Sequence, residues 1–244
     1  MRYEGGKSRI AGWVEESIKP LIPECKRYVE PFIGSGAVFV KLSSHFDQVF
    51  AGDAHEDLIL LYQSVASGWV PPEHISREDY QSLRHSAPSA LRGFVGYGAS
   101  FGGKWFGGYV DTVWDTHHQR QTKPYAQAAS RSLVKIASAL ARAELRNVGY
   151  SEWDIRPGDL VYCDPPYANT LGYPAAGEVF NSGEFWKVAE SWHGLGAIVV
   201  VSESYAPEGW SVLAERERKS MLRVATGEAN SVRVERLFCR TPRG

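Results

Sequence analysis

The segment RYVEPFIGSGAVFVKLSSHFDQVFAGD, residues 27–53, decides the predicted fold of this chain. It begins as a short strand at Arg27–Phe32, turns at the glycines of IGSG, and continues as an amphipathic helix to about His45. A second strand at Gln48–Ala51 and a second helix at about His55–Ala66 repeat the pattern. Alternating strands and helices of this kind are the building unit of a parallel sheet covered by helices.

The same alternation returns in the C-terminal half of the chain. An N-terminal helix is also predicted at 8–22, where Pro20 would end or kink it. Together these elements predict an α/β fold with a Rossmann-like, mostly parallel sheet that closes with an antiparallel hairpin. The C-terminal elements are helices at 125–143 and 183–194, strands at 144–148, 160–163 and 197–201, and hairpin strands near 220–225 and 232–239.

A region of weak periodicity interrupts this pattern. Between Gly68 and about Thr122 the chain is rich in glycine and aromatic residues, as in FGGKWFGGY at 101–109. A structureless loop of this length is uncommon inside a compact domain. We therefore predict one domain formed by residues 1–67 and 144–244, with an inserted lobe at 68–143.

The composition argues against several classes of protein. The three cysteines are far apart and odd in number, which disfavours a disulfide framework and a zinc site and suits a reducing cytoplasm. The pair His117-His118 has no further ligands at metal spacing, so we expect no metal. Because the chain lacks a run of about eighteen apolar residues, we expect no membrane partner. The N-terminus lacks the apolar stretch of a signal peptide, and we expect a cytoplasmic protein.

The net charge of −1 conceals two regions of opposite sign. Residues 84–146 hold nine Lys or Arg and three acidic residues, whereas residues 148–213 hold two basic and nine acidic residues. A polyanion responds to the local field and not to the average over the chain. The basic region therefore suits a nucleic-acid partner, and an ordinary solvated surface is the alternative that charge alone leaves open.

The glycine turn and Asp53 form the first candidate binding site. A glycine turn after a first strand lets a ligand approach the backbone, and the next helix presents free amide groups. Asp53 ends the second strand about twenty residues later, where a carboxylate can accept hydrogen bonds from a ribose diol. Two alternatives remain: a simple strand-to-helix turn, and a helix N-cap role for Asp53.

The second candidate site is Asp164-Pro165-Pro166-Tyr167, which follows an apolar strand. The two prolines make the tetrapeptide rigid, so Asp164 lies at the carboxyl edge of the sheet, where open α/β sheets bind ligands. The Asp164 carboxylate and the Pro165 carbonyl offer two neighbouring acceptors, and Tyr167 offers a flat ring. An aromatic amino group, with two N–H donors and a ring, matches that set. The alternative is an ordinary proline-rich turn.

These motifs, in this order, resemble the Dam-like N6-adenine DNA methyltransferases of the α-type motif arrangement. YEGGK at 3–7 is similar to the family's N-terminal aromatic-x-Gly-Gly-Lys motif, and 30–36 to its cofactor loop. Asp53 matches the acidic ribose position, 164–167 the catalytic tetrapeptide, and VERLF at 234–238 the last strand. The resemblance covers nearly the whole chain.

The resemblance implies a function and a set of roles. The chain would transfer methyl from S-adenosylmethionine to the N6 amino group of a flipped-out adenine in double-stranded DNA, and residues 68–143 would recognise the target. It would act in a bacterial or phage-infected cell as a monomer, or as a dimer on DNA. Tyr150 or Ser151 would contact the cofactor's adenine edge. The implied catalytic residues are Asp164, Pro165, Pro166 and Tyr167, and the implied cofactor-binding residues are Tyr3, Lys7, Glu30, Phe32, Gly34, Gly36, Asp53 and Asp164.

Three other functions stay open. An enzyme that methylates cytosine N4 or an RNA base would share the cofactor half, although Asp at position 164 favours adenine. A catalytically silent DNA-binding module would keep the fold without the chemistry, which the intact tetrapeptide disfavours. A nucleotide-dependent oxidoreductase is disfavoured by the incomplete glycine fingerprint. No Pro-Cys dipeptide occurs, which argues against methylation of a cytosine ring carbon.

Overall fold

The computed structural model describes residues 1–112, 114–115, 120–121, 124–166, 180–219 and 232–240. Seven of the described strands form one sheet, and two short strands pair with each other. The strands, in chain order, are β1 (Arg27–Glu30), β2 (Gln48–Gly52), β3 (Trp114–Asp115), β4 (Arg120–Gln121), β5 (Ala143–Arg146), β6 (Asp159–Cys163), β7 (Ile198–Glu203), β8 (Ser211–Lys219) and β9 (Val232–Arg240).

The large sheet has the order β5-β2-β1-β6-β7-β9-β8. Its first five strands pair in parallel, and β9 lies antiparallel between β7 and β8. This order confirms the predicted Rossmann-like sheet with a closing antiparallel hairpin. The chain moves outward from β1 in one direction to β2 and β5, then returns to β6 on the other side. Open α/β sheets bind ligands at such a reversal, beyond the carboxyl ends of the strands.

The central strands are buried on both faces, as parallel strands covered by helices must be. Every residue of β1, β6 and β7 is buried. On β6, Leu160 and Tyr162 face one apolar cluster, while Val161 and Cys163 face the other. Because successive side chains of a strand point to opposite faces, one short strand contributes to both cores.

The helices cover the sheet close to their predicted positions. Pro20 lies in the first turn of a 3-10 helix at Lys19–Glu24 directly after the first helix, which explains where that helix ends. Among the described helices, none combines the length and apolar character needed to cross a membrane. The helices are α1 (Ala11–Ile18), α2 (Ala37–Leu42), α3 (Glu56–Ala66), α4 (Arg77–Arg84), α5 (Ala90–Gly98), α6 (Tyr125–Ala141) and α7 (Ser182–Gly194).

The region predicted as an inserted lobe holds two helices that begin at serine caps. Ser76 caps α4 and Ser89 caps α5, each side chain accepting a hydrogen bond from a backbone amide in the first turn. Helix α5 packs against α3 and α6, and the buried Phe94 and Tyr97 belong to the same apolar cluster as Tyr62 of α3. The region thus shares a continuous core with the sheet domain, and its assignment as a separate lobe at 68–143 stays a prediction.

The first strand of the closing hairpin differs from the prediction. Strand β8 covers Ser211–Lys219 and pairs with β9, whereas the predicted strand near Ser220–Ala225 lies outside the described residues. The sequence of β8 ends in Glu215-Arg216-Glu217-Arg218-Lys219, which carries no apolar alternation. Because β8 is the edge of the sheet, charged side chains are tolerated there and the usual strand signal is lost.

Candidate active site

A cavity of about 340 Å³ lies beyond the carboxyl ends of β1, β2 and β6. Its volume falls in the range of small-molecule and cofactor sites. The N-terminal segment closes one side, and the loop after β5 together with the start of α7 closes another. The described residues that line it include Tyr3, Lys7, Glu30, Phe32, Gly34, Asp53, Tyr150, Ser151, Tyr162, Asp164, Pro166, Phe180, Asn181 and Glu184.

The glycine turn after β1 has the conformation that only glycine adopts at low cost. Gly34 has a φ of 44° and Gly36 a φ of 70°, both in the left-handed region. A Cβ at Gly34 would lie 3.3 Å from the Tyr3 ring, so the absent side chain lets the N-terminal segment approach. Gly34 lines the cavity as predicted. Gly36 is not among the described lining residues and instead precedes the first turn of α2.

Asp53 holds the glycine turn against the second strand. Its carboxylate accepts hydrogen bonds from the backbone amides of Gly34 (3.2 Å) and His55 (3.1 Å). The N-cap of α3 is His55, whose Nδ1 accepts a hydrogen bond from the Leu58 amide, so the N-cap alternative for Asp53 is wrong. Burial raises the pKa of Asp53 to about 6, against the opposing effect of these amide hydrogen bonds.

Glu30 is a buried carboxyl group at the end of β1. The Tyr28 hydroxyl donates a hydrogen bond to it from the same face of the strand. Burial raises the pKa of Glu30 well above its ordinary value, and the nearby Asp164 and Asp53 charges add to the shift. The cavity therefore holds three carboxyl groups, Glu30, Asp53 and Asp164, whose pKa values are raised by burial, and a positively charged ligand would favour their ionised forms.

The tetrapeptide after β6 brings Asp164 to the cavity. Asp164 and Pro166 line it, whereas the buried Pro165 is not among the described lining residues. Tyr167, predicted as a catalytic residue, lies outside the described residues, as does the His117-His118 pair. Burial raises the pKa of Asp164, while the positive charge of Lys7 acts in the opposite direction.

Lys7 reaches Asp164 from the N-terminal segment, 157 positions away in the chain. Its side chain is only 4% exposed, and its Nζ lies 2.8 Å from Asp164 Oδ1 and 3.1 Å from Glu235 Oε1. Buried charges need partners of opposite sign, which accounts for this arrangement. The predicted contact of Lys7 with a cofactor stays a prediction.

Glu235 and Ser202 are site residues that sequence reasoning missed. Ser202 Oγ, at the end of β7, donates a hydrogen bond of 2.9 Å to Glu235 Oε1. A signal for Glu235 was present: it shares one face of β9 with the buried Leu237 and Cys239. A glutamate at an inward position of an apolar strand indicates a buried partner.

Aromatic rings form another wall of the cavity. Phe32 stacks on Tyr150 with ring centroids 5.6 Å apart, and the rings of Phe180 and Phe185 meet Phe32 edge-on. Tyr3 packs against Tyr97 of α5, with centroids 4.7 Å apart. The geometry brings Tyr3, Phe32 and Tyr150, predicted at three separate places in the chain, to one cavity.

Part of the excess of positive charge at 84–146 is engaged within the protein. Five of its nine basic residues contact described acidic groups or carbonyls. The charge count therefore overstates the field that this region offers to a polyanion. The contacts are Arg92 with Asp57, Arg131 with Glu73, Arg146 with Glu144, Lys104 with Glu4, and Arg142 with the carbonyls of Ser43 and Phe46.

Comparison with known proteins supports the resemblance predicted from the motifs. Residues 3–90 match the family model for the D12 class N6 adenine-specific DNA methyltransferase. The DNA adenine methylase of Vibrio cholerae is 28% identical over 186 residues, which cover 69% of this chain and 64% of that protein. The DNA N-6-adenine-methyltransferase of Escherichia phage P1 is 25% identical over 84% of this chain and 30% of its own length.

A third relative matches a shorter segment more closely. The type II methyltransferase M.MjaIII of Methanocaldococcus jannaschii is 38% identical over 69 residues, which cover 27% of this chain and 24% of that protein. The chain spans less than two thirds of the length of the DNA adenine methylases that it matches.

Proposed function

We propose that this chain, which is related to the D12 class N6 adenine-specific DNA methyltransferases, transfers a methyl group from S-adenosylmethionine to the N6 amino group of adenine in DNA. The observation that carries the proposal is the position of Asp164, which lines the cavity at the carboxyl edge of β6 and begins a rigid Asp-Pro-Pro sequence. A carboxylate held at the carboxyl edge of the sheet, where such folds bind ligands, can accept hydrogen bonds from an amino group.

The donor set of the cavity fits S-adenosylmethionine. The cofactor carries positive charge on its sulfonium and ammonium groups, which would favour the ionised forms of Glu30, Asp53 and Asp164 around the cavity. Asp53 would accept hydrogen bonds from the ribose diol, and Gly34 leaves space for the backbone approach. Phe32 and Tyr150 offer flat apolar surfaces to the adenine ring. When bound, the cofactor supplies an electrophilic methyl group.

The residues of the chain would act by position and by charge. The amino lone pair of adenine is delocalised into its ring, which makes that nitrogen a poor nucleophile. Asp164 and the Pro165 carbonyl would each accept one N–H hydrogen bond, which localises the lone pair on nitrogen. Asp164 would also accept the proton that the nitrogen releases as its bond to the methyl carbon forms and the sulfur–methyl bond breaks, which leaves S-adenosylhomocysteine. Fixed acceptors of this kind lower the barrier because they need no reorganisation.

The target amino group faces its partner base in a duplex, so the adenine must leave the stack before reaction, at a cost of a few kcal/mol. We propose that residues 68–143 contact the DNA while the base enters the cavity beside Asp164. The basic residues of that region and Tyr167 are the candidates for those contacts. An Arg or Lys that recognises a base would donate hydrogen bonds to the acceptor atoms of guanine in the major groove.

The test is methyl transfer from labelled S-adenosylmethionine to mixed DNA, with the modified nucleoside identified by mass spectrometry. We expect N6-methyladenine, and Asp164→Ala should lower kcat by about a hundredfold or more. Asp154→Ala is the matched control, because Asp154 is 63% exposed, pairs with Arg156 and lies outside the cavity. Label on cytosine or RNA, or no label on any nucleic acid, would contradict the proposal.

A further inference from the structure

The ammonium of Lys7 is shared by two carboxylates that come from different strands. We propose that Glu235 is a positioning residue that shares the Lys7 ammonium with Asp164 and so preserves the strength of Asp164 as a hydrogen-bond acceptor. The inference rests on the proposed function only in supplying the amino group that Asp164 would hold.

The first support is the geometry. Lys7 Nζ lies 2.8 Å from Asp164 Oδ1 and 3.1 Å from Glu235 Oε1, and the same Oε1 accepts the Ser202 hydroxyl at 2.9 Å. Ser202 belongs to β7, which pairs with β9 through Ser202 and Leu237. Glu235 is therefore fixed by its neighbouring strand as well as by Lys7.

The second support is the charge balance. A lysine paired with Asp164 alone would neutralise that carboxylate and compete for the lone pairs that an amino group needs. Shared with Glu235, one positive charge faces two carboxylates, and the cluster keeps a net charge of about −1 when all three groups are ionised. Asp164 then stays ordered by Lys7 and still attracts N–H donors.

The third support is burial. The side chains of Lys7 and Glu235 are nearly buried, and Asp164 is 21% exposed toward the cavity. Charges out of water interact more strongly than charges on a surface, so the second carboxylate has a larger effect here. The Asp164 charge in turn raises the pKa of three neighbouring groups, Glu203 at the end of β7, Glu30 at the end of β1 and Tyr162 of β6.

A purely structural role for Glu235 is the competing explanation, in which it only neutralises a buried lysine. That role predicts lower stability on mutation, with kcat and its pH dependence unchanged. A positioning role predicts a change in both, because the pKa of Asp164 is raised by the Glu235 charge and would fall without it.

The test variant is Glu235→Gln, which keeps the shape and an acceptor oxygen for Lys7 and Ser202 but removes the charge. We expect kcat to fall about tenfold, less than for a group that touches the reacting atoms. The KM for S-adenosylmethionine should stay within about twofold, and the acid limb of the kcat profile should move to lower pH. Glu215→Gln is the matched control, since Glu215 lies on the neighbouring strand and pairs with Arg236 at the surface.

A carbon-13 NMR titration of the Asp164 carboxyl, without substrate, gives a readout that does not depend on methyl transfer. We expect the titration midpoint to be lower in Glu235→Gln than in the wild type. If wild-type protein transfers no methyl group, the proposed function fails, while this titration still decides whether Glu235 controls Asp164. Unchanged kcat together with an unchanged Asp164 titration would overturn the inference.

If Glu235→Gln fails to fold, Ser202→Ala replaces it as the test. That variant keeps all three charges and removes the hydrogen bond that fixes Glu235. We expect a fall in kcat of about threefold with the KM for S-adenosylmethionine unchanged. The titration midpoint of Asp164 should move to lower pH, as in Glu235→Gln. No change in either measurement would overturn the inference.

Discussion

The cavity has an ionic end and an aromatic end. Lys7 and Asp164 line the ionic end, where Glu235 contacts Lys7 from outside the lining, and Phe32, Tyr150 and Phe180 line the aromatic end. At the ionic end three charged side chains, from the N-terminal segment and from two strands, are joined by short contacts in a largely buried setting. At the aromatic end, the rings come from two loop positions and a short 3-10 helix at Tyr150–Glu152, and they pack through apolar contact. The two ends therefore depend on different forces.

That difference predicts different responses to mutation and to pH. A buried charge that loses its partner costs several kcal/mol, because the remaining charge stays out of water. An aromatic ring that is trimmed loses only part of its contact area. Titration of carboxyl groups should alter the ionic end, whereas the rings have no charge to lose.

The largest effect is expected at the ionic end. Lys7→Met leaves Asp164 and Glu235 as neighbouring carboxyl groups without their shared cation, and the free energy of unfolding should fall by about 3 kcal/mol. Urea denaturation measures it. In the control, Lys41→Met removes an exposed pair with Glu15 and should cost about 0.5 kcal/mol or less. Equal losses of unfolding free energy in Lys7→Met and Lys41→Met would show that the buried ion pairs stabilise the protein no more than a surface pair does.

The second prediction tests the pH response through Asp53. The pKa of Asp53 is raised by burial to about 6, so the carboxylate that a ribose diol needs is lost as the pH falls through that value. The affinity for S-adenosylmethionine should therefore drop by about tenfold for each pH unit below this pKa and level off above it. Calorimetric titrations from pH 5 to pH 8 measure the binding.

Asp53→Asn is the companion variant for this measurement. It should bind S-adenosylmethionine more weakly at neutral pH. The pH dependence of its binding should lack the contribution of Asp53 and keep the contributions of Glu30 and Asp164. Binding curves of the same shape for wild type and variant would show that Asp53 does not govern the pH response.

The smallest effect is expected at the aromatic end. Phe32→Leu should weaken S-adenosylmethionine binding by about fivefold, or about 1 kcal/mol, because it removes ring contacts and keeps an apolar side chain. The pH dependence of binding should be unchanged. Phe101→Leu is the control, since Phe101 is 61% exposed and is not among the described lining residues. A shifted pH dependence in Phe32→Leu would show that the two ends are coupled.

Much of the fold follows from local patterns. The sequence predicted the strand that ends at Glu30, the glycine turn and the strand that ends at Gly52. An apolar run is typical of a buried strand, and glycines are typical of a tight turn. Strand β8 was not predicted at its position, because an edge strand tolerates charged residues and then lacks the apolar pattern by which a strand is predicted. Helices α4 and α5 were hidden by the glycines and aromatic residues of their region, although Ser76 and Ser89 are ordinary N-caps.

Only part of the candidate site could be predicted from the sequence. Asp53 and Asp164 were predictable because each ends a strand of the parallel sheet, and such ends meet at one edge. The role of Asp53 in bonding Gly34 and His55, and the sharing of Lys7 by two carboxylates, required distances between residues far apart in the chain. Net charge was a weaker guide, since contacts within the protein engage five of the nine basic residues at 84–146.

The sequence by itself determined the alternation of strands and helices at 27–66, the glycine turn and the rigid Asp-Pro-Pro segment, because these depend on the backbone preferences of nearby residues. Only the tertiary structure decided which side chains share the cavity. Strand β9 inserts between β7 and β8, and this brings Glu235 both to the ammonium of Lys7 and to the hydroxyl of Ser202 on β7. The strength of that ionic cluster depends on burial and on distances below about 3.5 Å, which are properties of packing and not of any local pattern.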